Sequence, residues 1–375
     1  MNQRCLGLHP YCRSVGSAAA NATRRWRERN GLFVELRFNS RLKGWGEASP
    51  LPGYSPDDLG GARAALGGLT LNDLGIRDLL DAVKLDAIRE AVRATIQQIP
   101  ETQPAARFAL ESALFDLLGR HRGQPLPALL ASDSGADWGP IAVADLSTDL
   151  LSEADSPAAE PDRKNDVLKV KVGREGAFPE ELTALTRLRE LRPDVELRLD
   201  ANGAWSVDQA LGYLDRLVRL GIRWIEEPAR VGSVDELSKL MARAALPIAL
   251  DESLWQLSLS PATVAQLQPA ALVLKPQVLG GNLRCLDVAT AGYSTNTVAI
   301  ASHTFDGPIA YRATQALALV LDRGQSQIGH HGLAAHDGLR AWPEGLAEVT
   351  CPPTCGAAGS GLLWEPPMSR TQDLG

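Results

Sequence analysis

Five charged residues close short apolar runs through the middle of the chain: Lys171 in VLKVKVG, Asp200 in VELRLDANG, Glu226 in IRWIEEP, Asp251 in PIALDES and Lys275 in ALVLKP. Successive members lie 24 to 29 residues apart. Three carboxylates brought to one place suit a hard divalent cation, Mg²⁺ or Mn²⁺ in its place, because such ions take oxygen ligands and leave positions open for water or substrate. Two lysines beside them point to proton transfer. One strand, one helix and two loops need about that much chain. The runs are apolar almost throughout, as in parallel strands buried on both faces. In a closed parallel barrel the C-terminal strand ends meet around one mouth, where such barrels keep their chemistry.

Residues i and i+2 of a strand face the same side. Lys169 therefore accompanies Lys171, and Asn202 accompanies Asp200. Two ammonium groups side by side disfavour each other's charge, so the pair predicts a lowered lysine pKa and a base that works near neutral pH. The alternative, two lysines on an exposed edge strand, is opposed by the flanking Val167, Leu168, Val170 and Val172. Glu227 and Glu252 lie one residue beyond two of the acids and suit supporting roles. Lys275, two units beyond Glu226, is expected across the mouth from Lys171. Lysines on opposite faces of a substrate can each reach the carbon beside a carboxylate. Removing that proton leaves an enediolate, whose charge the cation and ammonium groups stabilise.

The elements that must position these groups are legible in outline. The 375 residues suit a barrel of about 250 residues plus a smaller domain. Residues 31–48 alternate apolar and polar in two runs around Asn39-Ser40, a hairpin signal. SPLPGYSPDD, residues 49–58, is a structured loop. From Asp57 to about Gln98 the chain is helical in composition, with a break near Gly67 and Gly68. Residues 104–118 place Phe108, Ala109, Ser112, Ala113 and Phe115 on one buried helical face. This divides the chain into an α+β domain over 1–110, to which 340–375 return, and a barrel over 111–339. The barrel strands begin with IAVADLS and end with TVAIASH. Ser206 caps one intervening helix, which stops at Gly221, and residues 150–166 read as a mobile connection.

Composition removes several classes. Apolar residues are 45% and charged residues 22%, as in a globular protein, and the net charge of −7 gives no electrostatic case for nucleic acid or an anionic membrane. No apolar run is long enough to span a bilayer, and the N-terminus lacks the apolar core of a signal peptide, so the cytoplasm is the expected compartment. The five cysteines, Cys5, Cys12, Cys285, Cys351 and Cys355, are too sparse for a disulfide framework. CPPTC reads as reduced cysteines in a loop rather than a metal clip completed by His330, His331 or His336, for which structural roles are expected beyond the last strand.

The segments KVKVG, LRLDANGAW, WIEEP, ALDES and LVLKP, in that order and spacing, resemble the barrel motifs of the enolase superfamily, muconate-lactonizing subgroup. The resemblance covers about residues 30–310. GWGEASPLPGYS, residues 44–55, resembles the substrate-covering loop of a dehydrating branch of that subgroup. The resemblance implies an α/β fold, a (β/α)7β TIM-like barrel with an N-terminal α+β capping domain. It implies a lyase: syn elimination of water from 2-succinyl-6-hydroxy-2,4-cyclohexadiene-1-carboxylate, giving 2-succinylbenzoate for menaquinone synthesis. By match to the motifs, Lys171 would be base and then acid, Lys275 would face the other side of the ring, and Lys169 would assist by its charge. Asp200, Glu226 and Asp251 would hold Mg²⁺. A small-molecule carboxylate substrate would meet Ser49, Leu51, Pro52 and Gly53 of the loop, Asn202, and Ser302, His303, Asp306 and Gly307 beyond the seventh strand. There ASHTFDGPIA departs from the family's serine-rich turn. Asp306 stands in the glutamate position, and His303 either contacts a substrate carboxylate or caps the loop. Three other readings stay open: 1,1-proton transfer, as in N-acylamino acid racemases and dipeptide epimerases; a non-catalytic binding protein on a retained barrel; and a phosphate-binding barrel enzyme hinted at by LGGN at 279–282. A monomer and a homo-oligomer are equally compatible.

Overall fold

The computed structural model describes residues 6–15, 26–70, 74–131, 138–148, 150–153 and 166–334. The 340–375 return, Cys351, Cys355, His336 and most of the 150–166 connection lie outside the described residues.

A three-stranded antiparallel sheet comes first: β1 (Leu6–Ser14), β2 (Glu28–Arg37) and β3 (Lys43–Ala48). β2 and β3 form the hairpin expected around Asn39, whose Oδ1 accepts from the backbone N–H of Arg41 and Leu42 at 2.8 Å. β1 was not foreseen. It carries Pro10 and alternates poorly, and it becomes a strand because it pairs with β2 at the sheet edge, where proline is tolerated. Helices α1 (Leu59–Gly67), α2 (Ile76–Asp81), α3 (Leu85–Ile96), α4 (Pro104–Arg122) and α5 (Leu126–Leu130) follow. α4 was expected to bury one face. It is instead buried at every residue from Pro104 to Gly119 except Arg107, because it lies between this sheet and the barrel helices.

Glycine makes that close packing possible. Gly44 and Gly46 share one face of β3. A Cβ on Gly46 would overlap the Ala109 carbonyl oxygen, and one on Gly44 would overlap the Ala113 carbonyl oxygen one helical turn on. Gly46→Ala is therefore expected to cost about 1–3 kcal/mol, read as a lower urea midpoint. An unchanged midpoint would mean that α4 can lift off the sheet freely.

The second sheet has seven strands, neighbours in chain order and all parallel. They are β4 (Asp145–Ser147), β5 (Val167–Lys171), β6 (Glu196–Asp200), β7 (Ile222–Glu226), β8 (Ile248–Leu250), β9 (Ala271–Leu274) and β10 (Val298–Ala301). Between and after them run α6 (Leu150–Glu153), α7 (Phe178–Leu191), α8 (Val207–Leu217), α9 (Val234–Arg243), α10 (Glu252–Gln256), α11 (Pro261–Leu267), α12 (Pro276–Leu279), α13 (Asn282–Tyr293) and α14 (Pro308–Gly324). Caps fix several starts: Ser206 and Gln209 form a reciprocal capping box on α8, and Ser233 and Ser260 cap α9 and α11.

The sheet closes through His331 and Gly332. Val143 bridges His331 and Ser302 bridges Gly332, both in parallel sense. The His331 N–H donates to the Ala142 carbonyl at 2.7 Å, and the Gly332 N–H to the Ala301 carbonyl at 3.0 Å. His331 thus forms the last stave rather than following it. Its ring is fully buried, with Nδ1 accepting from the Ala301 N–H at 2.9 Å and Nε2 lying 3.1 Å from Asp322 Oδ2. The architecture is a (β/α)7β barrel with an N-terminal α+β cap, and one apolar core runs through both. Among the described residues no helix is long and apolar enough to cross a membrane.

Candidate active site

The five charged residues stand where the period placed them. Lys171, Asp200 and Glu226 are the last residues of β5, β6 and β7, and Asp251 and Lys275 directly follow β8 and β9. β5 and β9 are four staves apart in an eight-stave barrel, so Lys171 and Lys275 come from opposite sides. Both line one cavity of about 320 Å³ at the mouth, with Lys169 and Asn202.

Beneath this cavity the acids and amines interlock. Lys169 Nζ lies 2.8 Å from Asp200 Oδ2 and donates to both Glu226 oxygens at 2.7 and 2.8 Å. Lys171 Nζ donates to Asp200 Oδ2 at 2.6 Å and Asn202 Oδ1 at 2.8 Å. Lys275 Nζ donates to Asp251 Oδ2, and to the Tyr54 hydroxyl at 2.7 Å. The three carboxylates are 1%, 2% and 1% exposed.

These contacts correct one expectation. Burial pushes the Lys169 ammonium down, but Asp200 and Glu226 outweigh it and hold the pKa above its ordinary value. Counting only like charges along β5 left out the acids arriving from β6 and β7. Burial likewise pushes Lys275 down, and Asp251 with Glu252 reverses it. For Asp200, burial raises the carboxyl, and Lys169 and Lys171 bring it below the usual range. For Glu226, burial and then the charge of Asp200 push it up.

The donor set therefore suits a hard cation: three buried carboxylates on consecutive staves, held among positive charges. As placed they are closed onto lysines, and no group of three His, Cys, Asp or Glu side chains among the described residues converges as an ion cage. Glu227 braces the next stave, with Oε1 accepting from the Asp251 and Ser253 N–H groups at 2.8 and 2.9 Å. Burial, then Glu252, pushes the Glu227 carboxyl up to about 8. Glu252 accepts from Asn202 Nδ2 at 3.3 Å.

Of the residues expected to meet substrate, Leu51, Asn202, Ser302 and His303 line the cavity; Ser49, Pro52, Gly53, Asp306 and Gly307 do not. Ser49 is buried against Gln277, whose Nε2 donates to its hydroxyl at 2.9 Å. Pro52 offers its carbonyl to Trp26 Nε1 at 3.0 Å, and Gly53 makes the turn with φ 71°. Asp306 is buried and accepts from the Thr304 N–H and hydroxyl at 3.2 and 2.8 Å. Gly307 starts α14 so close to Glu47 that a Cβ would overlap its carboxylate. His303 accepts at Nδ1 from the Phe305 N–H at 3.1 Å, and its Nε2 lies 3.3 Å from the Ala334 carbonyl. Burial pushes it down to about 4, so the ring is neutral near pH 7.

Sequence reasoning missed Trp26, Tyr54, Asp145, Leu146, Thr148 and Phe305 on the wall. Tyr54 stood inside the quoted loop, but the direction of a turn side chain has no period to reveal it. Also missed was a buried cluster behind the wall. Glu47 accepts from the Tyr11 hydroxyl and, at 2.9 and 3.0 Å, from the Ile309 and Ala310 N–H groups at the start of α14. Arg29 donates to the Phe305 and Pro50 carbonyls at 2.9 Å.

Burial pushes the Glu47 carboxyl up to about 7, against the Tyr11 hydroxyl and the Ala310 N–H; Asp306 raises it further and Arg29 lowers it. The folded state thus keeps a proton that the unfolded chain has released above about 4.5. By linkage this contribution is present in acid and lost as pH rises from about 4.5 to about 7. In Glu47→Gln, stability measured by denaturant titration is expected to fall less over that window. Equal slopes would place the proton elsewhere.

The enolase C-terminal domain-like family matches residues 157–354. An o-succinylbenzoate synthase from Enterobacter sp. (strain 638) is 32% identical over 289 residues, 76% of this chain and 78% of the relative. One from Salmonella arizonae is 30% identical over 306 residues, 80% and 82% of the two chains. In fold, the N-succinyl Arg/Lys racemase of Bacillus cereus superposes with TM-score 0.74 at 18% identity, covering 90% of this chain and 89% of that one. The Enterococcus faecalis dipeptide epimerase, solved with Mg and L-Leu-L-Tyr, superposes with TM-score 0.72 at 21% identity, covering 92% and 93%. The chain belongs to the enolase superfamily, in the enolase C-terminal domain-like family. It is an enzyme, a lyase, and the relatives at about 30% identity carry the name o-succinylbenzoate synthase.

Proposed function

We propose that this chain is an o-succinylbenzoate synthase, removing water from 2-succinyl-6-hydroxy-2,4-cyclohexadiene-1-carboxylate to give 2-succinylbenzoate. The observation that carries this reading is the pair of lysines that line one capped cavity from opposite staves, with three buried acids beneath them. In this reading residues 1–110 cover the mouth and 111–339 carry the chemistry.

Asp200, Glu226 and Asp251 would hold Mg²⁺, which supplies positive charge opposite a carboxylate that is becoming a dianion. Lys171, steadied by Asn202, takes the proton from the carbon beside the substrate carboxylate. It then returns that proton to the departing hydroxyl on the same ring face, so water leaves in the syn sense and the ring becomes aromatic. Lys275 sets its charge against the opposite face, and Lys169 holds Asp200 and Glu226 in place. Trp26, Leu51, Tyr54, Leu146 and Phe305 exclude water and pack the ring. Serving menaquinone synthesis in the cytoplasm belongs to this same proposal.

The test is an assay of purified protein with the cyclohexadiene substrate and with N-acylamino acids, each with and without Mg²⁺. Metal-dependent aromatisation is the expected result. Racemisation faster than dehydration would overturn the assignment.

A further inference from the structure

We propose that Tyr54 is a positioning residue: its hydroxyl, delivered by the cap, sets the Lys275 ammonium on its side of the cavity. The inference rests on the proposed reaction and adds to it a residue from outside the barrel.

Lys275 has two anchors of different origin. Asp251 holds it from the adjacent stave, and the Tyr54 hydroxyl takes a second Nζ proton at 2.7 Å. The same hydroxyl lies 3.4 Å from Asp251 Oδ2, so amine, carboxylate and phenol form a closed triangle. An ammonium on a four-carbon stem needs two fixed contacts to hold one direction.

The loop bringing Tyr54 is itself tied to the helix that begins at Lys275. Gln277, two residues on, is fully buried. Its Nε2 donates to the Glu47 carbonyl at 3.1 Å and the Ser49 hydroxyl at 2.9 Å, and its Oε1 accepts from the Ser49 N–H at 3.3 Å. Within the loop, the Tyr54 and Ser55 N–H groups donate to the Leu51 carbonyl at 3.0 and 2.9 Å, and the Leu51 N–H donates to Ser55 Oγ at 2.8 Å. The chain from Ser49 to Tyr54 therefore leaves and re-enters the Lys275 segment as a stiff ring. The cap both covers the cavity and completes the geometry of the lysine. Misplacing a reacting group by about 1 Å can cost roughly 10²-fold in rate.

The experiment is a kinetic double-variant cycle on dehydration: wild type, Tyr54→Phe, Lys275→Ala and the double variant, with 2-succinylbenzoate binding measured by calorimetry. Phenylalanine keeps the ring that lines the cavity and removes only the hydroxyl. Tyr54→Phe is expected to lower kcat about 10–100-fold while KM and product Kd stay within about threefold. In the Lys275→Ala background it is expected to cost nothing further. An unchanged kcat, a loss confined to KM and Kd, or losses that multiply in the double variant would each reduce Tyr54 to a cavity wall. A wild type that does not dehydrate the substrate would remove the parent reading and this inference together, an outcome distinct from the other three.

Discussion

Lys171→Ala is expected to lower dehydration roughly 10⁴-fold, the upper range for removal of a general base. The same protein should still bind Mg²⁺, read as an unchanged rise in melting temperature on adding the ion, because Lys171 supplies no carboxylate oxygen. Lys171→Arg sharpens the test. Arginine retains the positive charge facing Asp200 Oδ2 but does not give up a proton in a protein. If charge alone were needed, Lys171→Arg would recover much of the rate. If a base is needed, it will be as slow as the alanine variant. Turnover retained in both would take the proton-transfer role away from this residue.

The second large effect is at Asp200. Its Oδ2 receives both Lys169 and Lys171, and its Oδ1 accepts from the Asn202 N–H at 3.0 Å, so one carboxylate organises three neighbours. Asp200→Asn is expected to lower turnover about 10³-fold or more and to abolish the thermal response to Mg²⁺. In the wild type that response should be about 2.7 kcal/mol at a concentration 100 times Kd. The variant also leaves the partly buried Lys171 without a carboxylate and Lys169 with Glu226 alone, at a cost on the order of 3 kcal/mol in the metal-free protein near neutral pH. The sign with pH follows from the lowered carboxyl. The stabilisation is present above the ordinary 3.8 and lost as pH falls through the depressed folded value, so variant and wild type should converge in strong acid. Full activity with an intact Mg²⁺ response would move the ligand set elsewhere.

What was legible in the sequence is what has a period. The strand-end charges recur with the βα repeat, and each lies on or one residue past its strand end. The α8 start was legible because Ser206 and Gln209 cap it locally. Features set by distant chain were not. β1 exists only as a partner of β2, and the full burial of α4 depends on Gly44 and Gly46 lying flat beneath it. At Lys169 the expected lowering failed for the same reason, since β5 alone does not show the carboxylates of its neighbours. In the loop, Leu51 was selected and Tyr54 passed over, although both reach the cavity; only the fold of the turn decides which side chains point inward. His331 was expected beyond the last strand and instead makes it, a two-residue element too short for any alternation to announce.

That brief closing stave has a consequence for biosynthesis. As the chain leaves the ribosome, seven strands can pair in order while β4 and β10 keep open rims of unpaired amides and carbonyls. Only when residues 331 and 332 emerge can a segment with parallel bridges to both rims slot between them. Until then the nascent sheet is adhesive toward other chains. A window of aggregation hazard thus falls late in translation, after Lys171, Asp200, Glu226, Asp251 and Lys275 have already been synthesised.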